Sequence, residues 1–282
     1  MKNYLLDSIL TLFDRIEYYK GYVFHIDHDI QKFTQTLIEG IDKESTVLIK
    51  GSRLVISDFT GESDNGWEIN FPLPTTGYKV TNKNYLDMNR QLIQSVSAIL
   101  VVQSYEAIES FLKGILISYF QNNHQIAFET IGKANCIWNR SIVDWKKTVR
   151  RLNQGVNNKE LLKIIRLLSP EFQEAESDNL KNVDLSHWFN AISISRHCIV
   201  HSESILKNDE YNKLKEYEIS VLNYFFEIED LEAENRKMSI SAQQASSVME
   251  FMCEYAFQIF KWLSISQKLE WRILKNMKIN EA

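Results

Sequence analysis

The segment Ser186 to Leu206, SHWFNAISISRHCIVHSESIL, sets an arginine and histidines into apolar company. On a helical wheel with Trp188 at the origin and about 100° per residue, Trp188, Ile192, Ile199 and Leu206 share one arc. Phe189 and Val200 flank that arc, and Arg196 falls inside it; Asn190, His197 and His201 gather on the far side. A guanidinium cannot shed its charge, so one placed among apolar side chains is costly unless it is paired or lines a site. Its fork fits two phosphate oxygens, and an imidazole moves a proton near neutral pH. Arg196 and His201 therefore supply charge stabilisation at phosphorus and proton transfer at oxygen, which are the requirements of phosphodiester cleavage. A ribose 2′-hydroxyl as the attacking group removes the need for a metal or any other cofactor.

These side chains need a frame, and the chain reads as mostly helical. Nine glycines and three prolines in 282 residues leave few places to punctuate a helix. Leu5, Leu6, Ile9, Leu10, Leu12, Phe13 and Ile16 recur at helical spacing, and Phe24 to Ile41 continues the pattern up to a plausible end at Gly40. Residues 45–80 change character. Thr46–Ile49 and Arg53–Ile56 are β-branched runs, a turn-rich cluster spans Gly61–Gly66, and Trp67–Phe71 alternates. This predicts a small antiparallel β insertion at about residues 45–72. One long helix is expected over 84–122, with Val101, Tyr105, Ile108, Phe111, Leu112, Ile115 and Tyr119 on one arc and Glu106 and Glu109 opposite. A connection is expected over 122–138, a basic helix over 142–151, and a short helix over 160–168 ended by Pro170. An acidic loop over 171–184 and helices over 185–206, 211–235 and 242–280 complete the reading. The fold class is an all-α antiparallel helical bundle, divided into residues 1–83 and 84–282.

Composition removes several function classes. There is no G-x-G-x-x-G and no G-x-x-x-x-G-K-[ST], so a phosphate-loop nucleotide fold is not expected. The formal net charge of -5 excludes a generic basic coat for nucleic acid. Cys136, Cys198 and Cys253 lie far apart with no C-x-x-C, giving neither a zinc knuckle nor a disulfide framework, and they read as reduced thiols of a cytoplasmic protein. No apolar run approaches the ~18–20 residues of a membrane helix. Asp7 and Asp14 interrupt the N-terminal pattern, which argues against a secretion signal.

Arg196-His197-Cys198-Ile199-Val200-His201 matches the R-x(4–6)-H motif of HEPN domains, with a polar residue after the arginine, and LVVQSYEAIESFLKGIL (Leu100 to Leu116) resembles that family's first bundle helix. The resemblance covers roughly residues 90–275. It implies a four- or five-helix bundle that dimerises, so that two motifs meet in one composite site. It further implies a metal-independent endoribonuclease, often a toxin or antiviral defence effector with an antitoxin or defence-system partner. In that scheme Arg196 binds the scissile phosphate, His201 is general base or acid, His197 is auxiliary, and a 2′,3′-cyclic phosphate is left. Residues five apart stand about 140° from each other on an ideal helix, an independent reason to expect a homodimer. The rival readings are a non-catalytic helical interaction module and a nucleotide sensor.

Further candidates surround the motif. Glu106 and Glu109 could orient Arg196 or sit as solvated charges, with Glu106 the better placed, and Asn190 and Ser193, one to two turns before the motif, could touch RNA or make a core hydrogen bond. His197 and His201, four apart, make a conceivable metal pair, but with no third ligand in the window no metal site is assigned. His25 and His28 beside Asp27 and Asp29 read as a solvated face. Residues 140–166 carry eight basic side chains against two acidic ones, and Trp138 and Trp145 lie among or beside them. Lys146, Lys147, Arg150 and Arg151 are the candidate RNA contacts, with the tryptophans as stacking platforms. Residues 203–236 carry ten acidic and four basic side chains, a surface RNA should avoid.

Overall fold

With so few helix breakers, two helices run unusually long: α1 spans Leu6–Gly40 and α2 spans Asn82–Asn122. The computed structural model describes residues 3–40, 47–49, 54–57, 68–71, 78–80, 82–133, 144–152, 158–216, 224–231 and 235–272. Contacts divide the chain into two compact units, residues 25–93 and residues 1–24 with 94–282. The start of α1 belongs with the helical unit. The reason is local: Leu5, Ile9, Leu12 and Ile16 are buried in its core, and Asn3 Nδ2 donates to Ser264 Oγ at 2.9 Å.

In residues 25–93 the strands are β1 (Val47–Ile49), β2 (Leu54–Ser57), β3 (Glu68–Phe71) and β4 (Tyr78–Val80). They form two antiparallel pairs, β1 with β4 and β2 with β3, in registers Val47↔Val80 and Leu54↔Phe71. The insertion therefore extends to residue 80, beyond the expected end near 72. The helical part of this unit is tied by Asn89 Nδ2 donating to Thr34 Oγ1 at 2.5 Å and by the Phe33 and Tyr85 rings, 6.5 Å apart.

The helical unit adds α3 (His124–Lys133), α4 (Trp145–Leu152), α5 (Lys159–Leu168), α6 (Pro170–Ser177) and α7 (Leu185–His201). It ends with β5 (Ile205–Leu206), α8 (Asn208–Glu216), β6 (Glu227–Asp230), β7 (Arg236–Ser239) and α9 (Ala242–Ser266). The apolar arc of α2 is buried as its spacing requires, from Val101 through Tyr119 to Phe120, against residues of α5, α7 and α9 in one core. Each large apolar side chain so buried contributes about 1.5–3 kcal/mol. That outweighs a cap, worth ~1 kcal/mol, such as Asp184 accepting from His187 N–H or the Ser241–Gln244 capping box.

Several expected boundaries move. The stretch 122–138 contains α3, and the supposed acidic loop contains α6. Pro170 both ends α5 and opens α6, because its fixed φ suits a first helical position where no N–H is needed. Helix α9 stops at Ser266, not near 280. Within the helix expected over 211–235, the described residues hold the end of α8 and the strand β6. Glu227–Asp230 and Arg236–Ser239 pair antiparallel, Ile228 opposite Met238, in a sheet ordered β5-β7-β6. The Arg236–Asp230 ion pair, 2.9 Å, spans the two strands. Helix α7 ends at His201, not at Leu206. Glu203 and Ser204 take φ of 51° and 65°, turning the chain so that Ile205 and Leu206 pair with β7. None of the helices among the described residues is long and apolar enough to cross a membrane.

Candidate functional site

The site is built on α7, whose start is fixed by the Asp184 cap and whose Trp188, Phe189, Ala191, Ile192 and Cys198 are buried. With that face inward, Arg196 emerges at the edge of the core, with 28% of its side chain exposed. It faces α2. Arg196 Nη2 donates to Glu106 Oε1 at 2.7 Å, while its Nε is buried with no hydrogen-bond partner. Glu106 is the polar-side residue of the α2 wheel, and its side chain is 53% exposed. One of the guanidinium's five donors is thus engaged, the pair is wet on the carboxylate side, and one buried donor is unused.

Beside this pair lies Tyr105, buried and stacked on Phe189 with ring centroids 5.4 Å apart. Its hydroxyl accepts from Asn158 Nδ2 at 3.2 Å and also bonds Ser193. Burial pushes the Tyr105 phenol above its ordinary range, opposed by the Ser193 and Asn158 hydrogen bonds; Glu109 adds to the rise and Arg196 works against it. The phenol stays a neutral donor through the physiological range. The wheel sets Tyr105 on the buried arc of α2, and Ser193 makes a core hydrogen bond to it; nothing in the spacing points to Asn158. Asn158 lies 53 residues from Tyr105 and reaches it from the left-handed turn (φ 56°) that opens α5.

His197 and His201 are exposed on the outer side of α7, with ring centroids 4.7 Å apart. Among the described residues no hydrogen bond or ion pair joins His201 to Arg196. Within one chain the two diverge, as five-residue spacing dictates. Asn190 is half-buried on the same helix.

Helix α4 presents Lys146, Lys147, Arg150 and Arg151 outward and buries Trp145, Thr148 and Val149. The expected stacking role of Trp145 is corrected. Its ring packs against Phe120, Phe128 and His124, and its Nε1 donates to His124 Nδ1 at 3.0 Å. Trp138, Arg140 and Cys136 lie outside the described residues. Arg166, the last basic residue of the same window, is drawn inward to Glu176.

Neither of the two described thiols is poised as a nucleophile. Burial first, then Glu210, pushes Cys198 up to about 12, and burial does the same for Cys253. Among the described residues no three His, Cys, Asp or Glu side chains converge to hold a metal. The arrangement can bind an anion through Arg196 once Glu106 yields, and it can move a proton at His201. No family model, curated protein or solved structure matches this chain.

Proposed function

We propose that the chain is a metal-independent endoribonuclease of HEPN type, working as a homodimer whose two motifs form one composite cleft. The observation that carries this reading is Arg196: a guanidinium set at the edge of an apolar core, held by one hydrogen bond to an exposed carboxylate, with its buried Nε unused. A fork left incomplete in this way suits an oxyanion with two acceptor oxygens. Arg196 would neutralise the scissile phosphate. His201 of the second copy would take the proton from the 2′-hydroxyl or give one to the leaving 5′-oxygen. The 2′-oxygen bonds to phosphorus, the bond from phosphorus to the 5′-oxygen breaks, and the products end in a 2′,3′-cyclic phosphate and a 5′-hydroxyl. Two copies are needed because Arg196 and His201 of one helix point apart. His197 and Asn190 line the same helix as auxiliary contacts. The basic face of α4 would hold the strand through its phosphates. A role as a toxin or antiviral effector, acting in the cytoplasm with a neutralising or activating partner, follows from the family resemblance.

The test is incubation of purified chain with total RNA in EDTA. The wild type should cut and leave cyclic phosphate ends, while Arg196→Ala and His201→Ala should not. Cleavage that appears only with added magnesium, or that survives both substitutions, would overturn the reading. The Arg196–Glu106 pair also favours a second reading, a non-catalytic helical module in which the pair only ties α7 to α2. There Arg196→Ala lowers the thermal midpoint and no RNA is cut by any form.

A further inference from the structure

The two imidazoles at the end of α7 have a geometry that the proposed chemistry does not use. His197 and His201 are exposed one helical turn apart, and among the described residues neither makes a hydrogen bond or ion pair. Their ring centroids are 4.7 Å apart with planes tilted by 49°. Two imidazoles bound to one metal at about 2.0–2.1 Å from nitrogen have centroids about 4.5 Å apart for a right-angled bite and about 5.2 Å for a tetrahedral one. The observed ring separation falls between these values, so the two rings stand at a spacing that one shared cation requires. Spacing of i and i+4 on a helix is the one that brings two histidines to a common metal.

We infer that His197 and His201 form a two-ligand site for a late first-row divalent cation, with zinc as the ion to test. Three features set its character. Both donors are neutral nitrogen ligands, which suit zinc, copper and nickel and disfavour magnesium and calcium. His201 is the last residue of α7, where the helix dipole turns its negative end toward a cation. No third protein ligand converges on the pair among the described residues. The remaining positions are then taken by water, which makes the site exchangeable, unlike the closed coordination of a structural zinc. The site stands whether or not RNA is cut. If His201 is the proton carrier, its occupation by a metal blocks that role.

The experiment is calorimetric titration of the full chain with zinc chloride, using wild type, His197→Ala, His201→Ala and a His25→Ala/His28→Ala control. Linking two donors on one rigid turn raises affinity by about a hundredfold over a single imidazole. Each single substitution at α7 should therefore weaken the strongest binding step by about that factor, and the control should leave it unchanged. Because both rings are exposed, the variants should unfold at the wild-type temperature in EDTA, and zinc should raise the midpoint of the wild type and the control only. A wild type that binds no zinc saturably, or an α7 variant that binds it as tightly as the wild type, overturns the inference.

Discussion

Two of the arginine–carboxylate pairs in the helical unit, Arg166–Glu176 and Arg196–Glu106, are built differently. Arg166 meets Glu176 twice, Nε to Oε2 at 2.6 Å and Nη2 to Oε1 at 2.9 Å, and its Nη2 also reaches Ser186 Oγ at 3.1 Å. Tyr255 closes the set by donating to Glu176 Oε1 at 2.7 Å, and only 4% of the Glu176 side chain is exposed. Arg196 meets Glu106 once, with the carboxylate 53% exposed and Nε unused. The rings of Tyr105, Phe189 and Tyr255 stack in a column between the two pairs. The first pair is a finished structural element in which every strong partner is spoken for. The second has donors to spare and a counter-ion that water can reach. The difference separates an arginine that holds the fold from one available to a ligand.

Stability should break the comparison most sharply. Glu176→Ala leaves Arg166 and the Tyr255 hydroxyl without their partner, and the loss of a buried, fully bonded pair costs about 3–5 kcal/mol. Glu106→Ala touches a wet pair and should cost less than about 1 kcal/mol. Urea unfolding of both variants checks this; equal costs would erase the distinction. Activity should show the reverse order. Arg196→Ala should lower cleavage of RNA about 10²–10³-fold, the range for removing one preorganised donor from a developing oxyanion, while the urea midpoint stays near that of the wild type. Comparable losses of stability and activity would make Arg196 a structural residue like Arg166.

The contrast was only partly legible in the sequence. The α2 arc was, because a 3.6-residue period over many turns leaves one face for the core, and Val101, Ile108, Phe111 and Ile115 are all buried. The wheel put Arg196 inside the apolar arc of α7, whereas the structure sets it at the edge of the core; Glu106 on the polar side of α2 was legible. The Arg166–Glu176 pair was not. Arg166 sat in a run of surface-like basic residues, and Glu176 in an acidic stretch that reads as solvated. They meet because Pro170 ends one helix and starts the next, folding α6 back beside α5. Burial of a carboxylate by such a reversal leaves no local periodic trace. The β5-β7-β6 sheet was missed for a related reason: Glu- and Lys-rich sequence favours helix locally, and pairing with β5 through a turn at Glu203 and Ser204 overrides that preference.

The basic helix α4 should give a smaller effect than Arg196. If its four outward cations hold phosphates without reading sequence, replacing Lys146, Lys147, Arg150 and Arg151 by Ala should weaken single-stranded RNA binding about tenfold. Each lost phosphate contact should flatten the salt dependence by about 0.7 in the log–log slope. Filter binding at several salt concentrations measures both, and an unchanged slope would remove α4 from the interface. A weaker signal should come from pH. Burial holds Cys198 and Cys253 at about 12 and raises Tyr105 and Tyr255. The unfolded thiols ionise first, so the folded state binds more protons there. The stability is complete below about pH 9 and is lost as pH climbs toward 12. Urea midpoints between pH 8 and 11 should fall in the wild type and fall less in Cys253→Ala.

The finest test of the comparison is Glu106→Gln. It keeps the shape and a hydrogen-bond acceptor for Arg196 while removing the opposing charge. An exposed pair is worth up to about 1 kcal/mol, so an anion that must displace Glu106 pays at most that, equivalent to about fivefold in affinity. RNA binding by Glu106→Gln should therefore strengthen by up to about fivefold, with the thermal midpoint almost unmoved. The same substitution at Glu176 should leave binding alone and lower the midpoint. If Glu106→Gln instead weakens binding, Glu106 holds Arg196 in the orientation the phosphate needs, and the pair is a positioning device. In the expected case Glu106 is a displaceable counter-ion, and the two arginine pairs differ in what their carboxylates do: Glu176 completes a structure, and Glu106 keeps a place that a phosphate can take.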